Sequence, residues 1–183
     1  MSDLTRLNKQ LEGIYRMSAD NTRRLDYIEP RETGAGGLFA YGEIYDHDNI
    51  ISKSIPIGAA YTKWTNWTAN GLALNCTPNV ANDRIDIDKP GIYKVSCSLS
   101  ASANKSLFNL IGACFLNGVE QHQIHFRSKI SVAGDEGAMS MTGLIDVTTA
   151  NWALDVRFRH DNGTAVALVI TYGNLNVIYI GPT

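Results

Sequence analysis

The chain has 183 residues with a formal net charge of −2, and 44% of the residues are hydrophobic. This length suits one globular domain with a sizeable core and a short additional segment. The balanced charge gives no electrostatic basis for binding nucleic acid. The sequence has no signal-peptide pattern and no apolar run of about 18 residues, so we expect neither secretion nor insertion into a membrane.

The N-terminal residues 1–30 have a heptad pattern. Apolar residues recur at alternating steps of three and four, and two polar residues keep the register: Leu4, Leu7, Leu11, Ile14, Ser18, Asn21, Leu25 and Ile28. One chain cannot bury so narrow a stripe, so the pattern predicts an α-helical coiled coil of two or more copies. Pro30 ends the predicted helix because the residue before a proline is disfavoured in helices. The alternative is a single amphipathic helix packed on the globular part.

Residues 31–37 are rich in glycine and are predicted to form a linker, and residues 38–183 form the predicted head domain. In the head, turn signals separate short stretches that have the two-residue alternation of β-strands. We expect an all-β sandwich or jelly roll. The predicted strands span residues 38–45, 50–57, 72–76, 84–87, 93–101, 107–116, a stretch from residue 120, and residues 138–147, 152–159, 165–172 and 174–180.

Two of the predicted strands, residues 107–116 and 165–172, are apolar on both faces. A strand that is apolar on both sides is covered on both sides, and a neighbouring subunit is the simplest second cover in a two-sheet sandwich. The sequence therefore predicts a subunit interface at Leu110, Phe115, Leu168, Ile170 and Tyr172.

The three cysteines, Cys76, Cys97 and Cys114, lack the spacing of a metal site. We expect free buried thiols, which suits folding in a reducing cytoplasm. His122 and His125 are three positions apart, so on a regular strand they face opposite sides and do not share a metal ion.

The segment 46–49 has oxygen ligands at alternate positions but lacks the glycine and glutamate of an EF-hand, which favours a solvated turn over a calcium site. The sequence contains neither a nucleophile elbow nor a phosphate-binding loop. We therefore expect no catalysis, no metal and no cofactor.

Trp64 and Trp67 lie close together among threonines, next to Tyr61. Exposed aromatic rings of this kind form a platform on which a sugar stacks. The alternative interpretation, which this spacing in a strand-rich region favours, is that the rings fill the core.

Four motifs occur in the order and spacing of one superfamily: residues 90–95, 115–118, 142–147 and 175–181. On these motifs, residues 38–181 resemble the trimeric jelly-roll heads of the tumour-necrosis-factor and complement-one-q type. The resemblance implies a ten-strand jelly roll that forms a homotrimer through apolar strand faces and is carried on a rod. Here the heptad segment is the expected rod.

Three further stretches, residues 41–45, 67–71 and 90–93, resemble bacteriophage virion proteins of this fold, such as head fibres, decoration proteins and tail-fibre tips. This resemblance implies a non-enzymatic structural protein of the virion, made in the cytoplasm of the host bacterium. Its N-terminal helix would attach to a capsid or tail protein. The alternative is a receptor- or glycan-binding tip of a tail fibre that contacts a glycan of the host surface.

Overall fold

The structure is a computed structural model that describes residues 39–183, except the side chain of Ala59. The predicted coiled-coil seam from Leu4 to Ile28 and the linker at residues 31–37 lie outside the described residues and stay predictions. Residues 39–183 form twelve strands: β1 Tyr41–Asp46, β2 Lys53–Ile55, β3 Gly58–Lys63, β4 Ala69–Leu74, β5 Cys76–Asn79, β6 Arg84–Ile87, β7 Gly91–Ala103, β8 Phe108–Leu116, β9 Val119–Ile130, β10 Gly137–Val147, β11 Trp152–His160 and β12 Val166–Gly181. One turn of 3₁₀ helix, Val80–Asn82, connects β5 to β6.

The strands form two antiparallel sheets. Sheet 1 has the order β10-β7-β12-β1-β4, and β2 pairs with β12. Sheet 2 has the order β5-β6-β11-β8-β9, and β3 pairs with β11. The inner faces of the two sheets share one buried apolar cluster, in which the largest fully buried side chains include Trp64, Tyr93 and Phe158. The predicted all-β sandwich is therefore confirmed.

Strand β7 shows how the sequence places residues in the core. Tyr93, Val95, Cys97 and Leu99 are buried, and the residues between them point outward, as the alternation predicts. The three cysteines are free and buried, which confirms the prediction for them. Burial raises the pKa of the Cys97 thiol to about 12, because the thiolate would lose its hydration.

The structure of strand β12 differs from the prediction for this part of the chain. Residues 165–172 and 174–180, predicted as two strands, form one strand whose pairing with β7 shifts register between Ile170 and Tyr172. The even-numbered residues are buried before this bulge, and the odd-numbered residues are buried from Gly173 onward. Because an extra residue reverses which side chains face the core, one bulged strand gives the sequence pattern of two strands.

Gly173 follows the bulge, and neighbouring side chains occupy the space into which a side chain at this position would extend. An added Cβ would lie 3.1 Å from side-chain atoms of Ile170, Leu99 and Trp67. The backbone of β12 therefore packs directly against Trp67, and an added side chain would have to displace its neighbours by a few tenths of an ångström. No helix within residues 39–183 is long and apolar enough to cross a membrane.

Gly112 in β8 provides a test of the core packing. An added Cβ would lie 2.4 Å from the Phe126 ring and 3.0 Å from the Phe158 ring, both of which are buried. We expect Gly112→Ala to lower the free energy of unfolding by about 1–3 kcal/mol because overpacking displaces these rings. Gly137→Ala is the matched control, since nothing lies within 4 Å of its added Cβ. Urea unfolding at one protein concentration measures both, and equal stability of the two variants would contradict the packing described here.

Candidate functional site

Most of the predicted interface residues lie in the core of the single chain. Leu110, Leu168 and Ile170 are 0% exposed, and they face the space between the two sheets. The prediction that they bind a neighbouring subunit is therefore wrong. Tyr172, in contrast, is 46% exposed and lies on the outer face of sheet 1.

Phe115 is covered by its own chain. It points out of sheet 2, where the Tyr61 ring packs edge-on at a centroid distance of 5.2 Å and the Arg157 guanidinium lies 4.3 Å from the ring centre. These two side chains leave Phe115 only 7% exposed. The second apolar face of β8 thus needs no neighbouring subunit, and the prediction of an interface at Phe115 is wrong.

The two predicted ligand-binding tryptophans are buried. Trp64 is 0% exposed and Trp67 is 4% exposed. The Trp64 ring packs edge-on against Phe158, and its Nε1 donates a hydrogen bond of 3.2 Å to Asp46 Oδ2. Neither ring offers a face to a sugar, so the predicted ligand surface is wrong and the alternative, core filling, describes both side chains.

The segment 46–49 points partly inward. Asp46 and Asn49 are buried, and the Asn49 amide donates to Asp46 Oδ1 at 3.3 Å. Asp48 remains at the surface, where it accepts a hydrogen bond from the Tyr172 hydroxyl. The oxygens of Asp46 and Asp48 are thus used separately. Within residues 39–183, no three His, Cys, Asp or Glu side chains are grouped as a metal ion would require.

The outer face of sheet 1 has a composition that contact with water alone does not explain. Its outward side chains come from five strands, and few of them are charged: Tyr41, Glu43 and Tyr45 of β1, Leu74 of β4, Lys94, Ser96, Ser98 and Ser100 of β7, Ala138, Ser140, Thr142, Leu144 and Asp146 of β10, and Tyr172, Asn174, Asn176 and Ile178 of β12. We call this set the charge-poor face.

One edge of the charge-poor face is a row of large apolar side chains that is interrupted by the cationic Lys94. The pairing register places Leu144, Lys94, Ile178, Tyr41 and Leu74 side by side across five strands. Leu144 is 53% exposed and Ile178 is 52% exposed. Four neighbouring apolar side chains of this size are half in water in the single chain, although exposed apolar residues on a monomer are usually scattered.

The centre of the charge-poor face is polar, with Glu43 as its one charged side chain. Ser96 and Thr142 are hydrogen-bonded across β7 and β10 at 3.2 Å, and Asn176 donates to Asn174 at 2.7 Å. Glu43 accepts a hydrogen bond from Asn174, so its charge is partly compensated. Beside these residues, a groove of about 510 Å³ runs between Tyr45, Ser98, Ser140 and Tyr172.

The outer face of sheet 2 has a different composition. Its outward side chains include Asp155, Arg157 and Arg159 of β11, Lys63 of β3, and Glu120, His125, Arg127 and Lys129 of β9. Asp155 accepts two hydrogen bonds from Arg157, at 2.7 and 3.0 Å. A face of this composition suits contact with water, whereas the core of a protein–protein interface is depleted in charge and enriched in aromatic residues. The charge-poor face is therefore the candidate functional site.

The sequence contained a signal for this face that the pattern analysis did not use. Between its buried residues, β7 presents Ser96, Ser98 and Ser100 in succession. A strand that faces water on one side has polar residues there, and these three serines are polar without being charged. The alternation of β7 predicts its buried side correctly, whereas the predicted interface lies only in strands that are apolar on both faces.

The comparisons with known proteins agree on the fold. The chain is similar to the globular domain of the zebrafish complement 1qA protein, with 11% sequence identity and a TM-score of 0.54, over 79% of this chain and 98% of that domain. It also matches the Eiger TNF of S. frugiperda, with 10% identity and a TM-score of 0.48, over 79% of this chain and 94% of that one. No protein-family model and no curated protein matches the chain.

The similarity to the complement 1qA domain confirms the predicted resemblance at the level of the fold. At this identity the comparisons assign neither a partner nor a ligand. The resemblance to bacteriophage proteins stays a prediction, and so do the localisation and the partners that it implies.

Asp46 provides a test of the polar cluster beneath the charge-poor face. Burial raises the pKa of its carboxyl group above the ordinary 3.8, and hydrogen bonds from Trp64, Asn49 and Thr68 lower it by less. Because the folded pKa lies above the unfolded pKa, ionised Asp46 destabilises the fold above the raised value, and acidification toward 3.8 relieves this cost. We expect the wild type to lose stability relative to Asp46→Asn as the pH rises through this window.

Urea unfolding of both proteins between about pH 4 and about pH 7 measures this difference. A substitution that only disturbs the hydrogen bond to Trp64 shifts stability by a constant amount, so the slope of the difference with pH is the informative quantity. Parallel stability curves for the two proteins would show that Asp46 titrates alike in the folded and unfolded states.

Proposed function

We propose that this protein is a non-enzymatic structural protein that assembles as a homotrimer through the charge-poor face of sheet 1. The observation that carries the proposal is the contrast between the two outer faces of the sandwich. Strands β9 and β11 of one face carry six charged outward side chains. The whole charge-poor face carries three, Glu43, Lys94 and Asp146, among apolar, hydroxyl and amide groups. The resemblance to trimeric jelly-roll heads supports a trimer rather than a dimer.

The apolar row can supply a driving force for assembly. Fully burying a large apolar side chain contributes about 1.5–3 kcal/mol. Leu144, Ile178 and Leu74 are about half exposed, so covering what remains contributes on the order of 1 kcal/mol for each side chain. A closed trimer repeats every such contact three times, and this sum works against the entropy lost on association.

The polar centre of the charge-poor face can determine how the subunits fit. Hydroxyl and amide groups form hydrogen bonds as donors and as acceptors, so Ser98, Ser100 and Asn174 can pair with several kinds of neighbour. A typical interface contains about one hydrogen bond per 100–200 Å². The groove beside Tyr172 provides the concave shape into which a neighbouring subunit fits.

We further propose that the trimer belongs to a bacteriophage virion, as a head fibre or decoration protein made in the cytoplasm of the host bacterium. The resemblance of residues 41–45, 67–71 and 90–93 to such proteins supports this assignment. The heptad segment is the proposed stalk and attaches the trimer to a capsid or tail protein. The glycan-binding alternative is weakened because Trp64 and Trp67 are buried.

The assembly face is tested with Ile178→Asp on the full chain. Ile178 is 52% exposed, so the substitution leaves the core intact while it places a charge in the apolar row. We expect the mass by light scattering to fall from three copies of 20.0 kDa, about 60 kDa, toward that of one copy. Three added carboxylates would have to lose water when the face is buried, which is unfavourable.

Val119→Asp is the matched control for Ile178→Asp. Val119 begins β9 of sheet 2 and is 64% exposed, so the same substitution adds a charge outside the proposed interface. We expect this variant to remain near 60 kDa. A monomeric wild type, or a trimeric Ile178→Asp variant, would contradict assembly through the charge-poor face.

The attachment role is tested with Leu11→Asp combined with Ile14→Asp in the heptad segment. We expect the mass to stay near three copies of 20.0 kDa because the head supplies the contacts, and we expect the protein to disappear from purified virions. Quantitative mass spectrometry of particles from the infected host measures the copy number, which should be a multiple of three for the wild type. Unchanged incorporation of the double variant would exclude attachment through this segment.

A further inference from the structure

A second concave surface lies on the opposite side of the sandwich, on the outer face of sheet 2. It is a pocket of about 300 Å³ with Ile111 of β8 among its lining residues. Arg159 of β11 and Arg127 of β9 flank Ile111, because both are paired with it in the sheet. Strands in a sheet lie about 4.8 Å apart, so the two arginines start about 10 Å apart and extend over the same space.

A large bulge in β9 shapes the rim of this pocket. Ala113 pairs with His125, but Phe115, two residues later on β8, pairs with Glu120. The additional residues of β9 form the bulge, in which His125 Nδ1 lies 2.6 Å from the carbonyl oxygen of His122. Both imidazoles consequently line the same pocket. The expectation that His122 and His125 face opposite sides is wrong, because it assumed a regular strand.

Arg159 has a different set of neighbours from the other arginines on this face. Arg157 forms a two-point hydrogen-bonded pair with Asp155, and Arg127 lies 3.7 Å from Asp161. Among residues 39–183, no carboxylate lies within 4.0 Å of Arg159. Its guanidinium lies over the Tyr61 ring at 5.0 Å. The Arg159 Nε is buried and has no hydrogen-bond partner in the described part of the chain.

Glu120 is the carboxylate in the pocket lining, and it is already engaged. It accepts a hydrogen bond of 3.1 Å from the Tyr61 hydroxyl, and His122 Nδ1 lies 3.5 Å from the same oxygen. Glu120 is therefore directed to one side of the pocket. Arg159, Arg127 and the two imidazoles provide more donors than this single carboxylate uses.

We propose that this pocket binds an oxyanion, the carboxylate or phosphate group of a small ligand, with Arg159 as its principal contact. An arginine fork matches the geometry of such groups and binds them through two parallel hydrogen bonds. Stacking on Tyr61 holds the guanidinium in place before the ligand arrives, which reduces the entropy lost on binding. A volume of about 300 Å³ suits a ligand of monosaccharide size.

The pocket faces away from the charge-poor face, because the outer surfaces of the two sheets point in opposite directions. Ligand binding is thus a property in addition to the proposed assembly and does not depend on it. Light scattering reports the oligomer and calorimetry reports the ligand, so failure of one proposal is distinguishable from failure of the other.

Isothermal titration calorimetry on the full chain tests the proposal, in Tris chloride at about 0.15 M ionic strength, where charges more than about 8 Å from the ligand are screened. The probes are sodium glucuronate for a carboxylate, sodium phosphate for a phosphate, and glucose as the neutral counterpart of glucuronate. We expect saturable binding of at least one oxyanion with one site per chain, and none of glucose. Saturation by glucuronate alone assigns a carboxylate ligand, and saturation by phosphate alone assigns a phosphate ester.

Arg159→Gln is expected to weaken this binding by about tenfold or more, because it removes a charged donor pair. Lys129→Gln is the matched control, since Lys129 is an exposed cation on the same strand face outside the pocket lining. Loss of a distant exposed charge is screened by salt, so we expect a change within about twofold. Arg159→Lys keeps the charge but not the fork and is expected to weaken binding as well.

Three results would overturn the proposal. They are the absence of saturable binding of either oxyanion, binding of glucose as tightly as glucuronate, and equal weakening by Arg159→Gln and Lys129→Gln. The last result would mean that the whole charged face attracts anions without a defined site. If Arg159→Gln does not fold, as judged by circular dichroism, the comparison of Arg159→Lys with Lys129→Gln decides between these outcomes.

Discussion

The structure depends on one geometric property of β-strands, which is that successive side chains point to opposite faces of the sheet. A two-layer sandwich can bury only the inner face of each sheet, so every second residue of β7, β10 and β12 is left outside. The chemistry of those outward residues then decides what the protein can do. In sheet 2, strands β9 and β11 carry many charged outward side chains, and in sheet 1 the outward side chains are mostly hydroxyl, amide or apolar groups. One fold thus presents two surfaces of different character.

Bulges decide which residues take the outward positions. In β12, the bulge between Ile170 and Tyr172 places Tyr172, Asn174 and Asn176 on the charge-poor face and returns Leu175 to the core. In β9, the larger bulge brings His122 and His125 to one pocket. Both irregularities lie where the molecule has its candidate sites, as bulges often do. Regular strands with the same sequence would have buried polar groups and exposed part of the core.

The sequence predicts regular elements well because alternation is a local property. Residues 84–87 were predicted with the bounds of β6, and the inward residues of β7 were assigned correctly. It predicts poorly what depends on contacts between distant strands. The bulges in β9 and β12 arise from pairing with β8 and β7, and no local pattern in residues 119–130 shows how many residues of β9 remain unpaired.

The predicted subunit interface at Phe115 was wrong for a related reason. A strand with two apolar faces is covered on both sides, as predicted. Tyr61 and Arg157, which cover Phe115, come from other strands of the same sheet. The long stem of an arginine can cover apolar surface while its charge stays in water. Arg157, although charged, thus covers the outward face of Phe115. Only the three-dimensional pairing of β8 with β11 shows this.

The polar centre of the charge-poor face is consistent with three-fold symmetry for a physical reason. In a closed ring of identical subunits, residues close to the axis meet their own copies. A charged side chain there would face two like charges at short distance in a medium of low dielectric constant, which is strongly unfavourable. Serine and asparagine avoid this cost, because each can donate to one copy and accept from the other. The succession of Ser96, Ser98 and Ser100 along β7 places no charge on this stretch and is therefore suited to a strand that lies near such an axis.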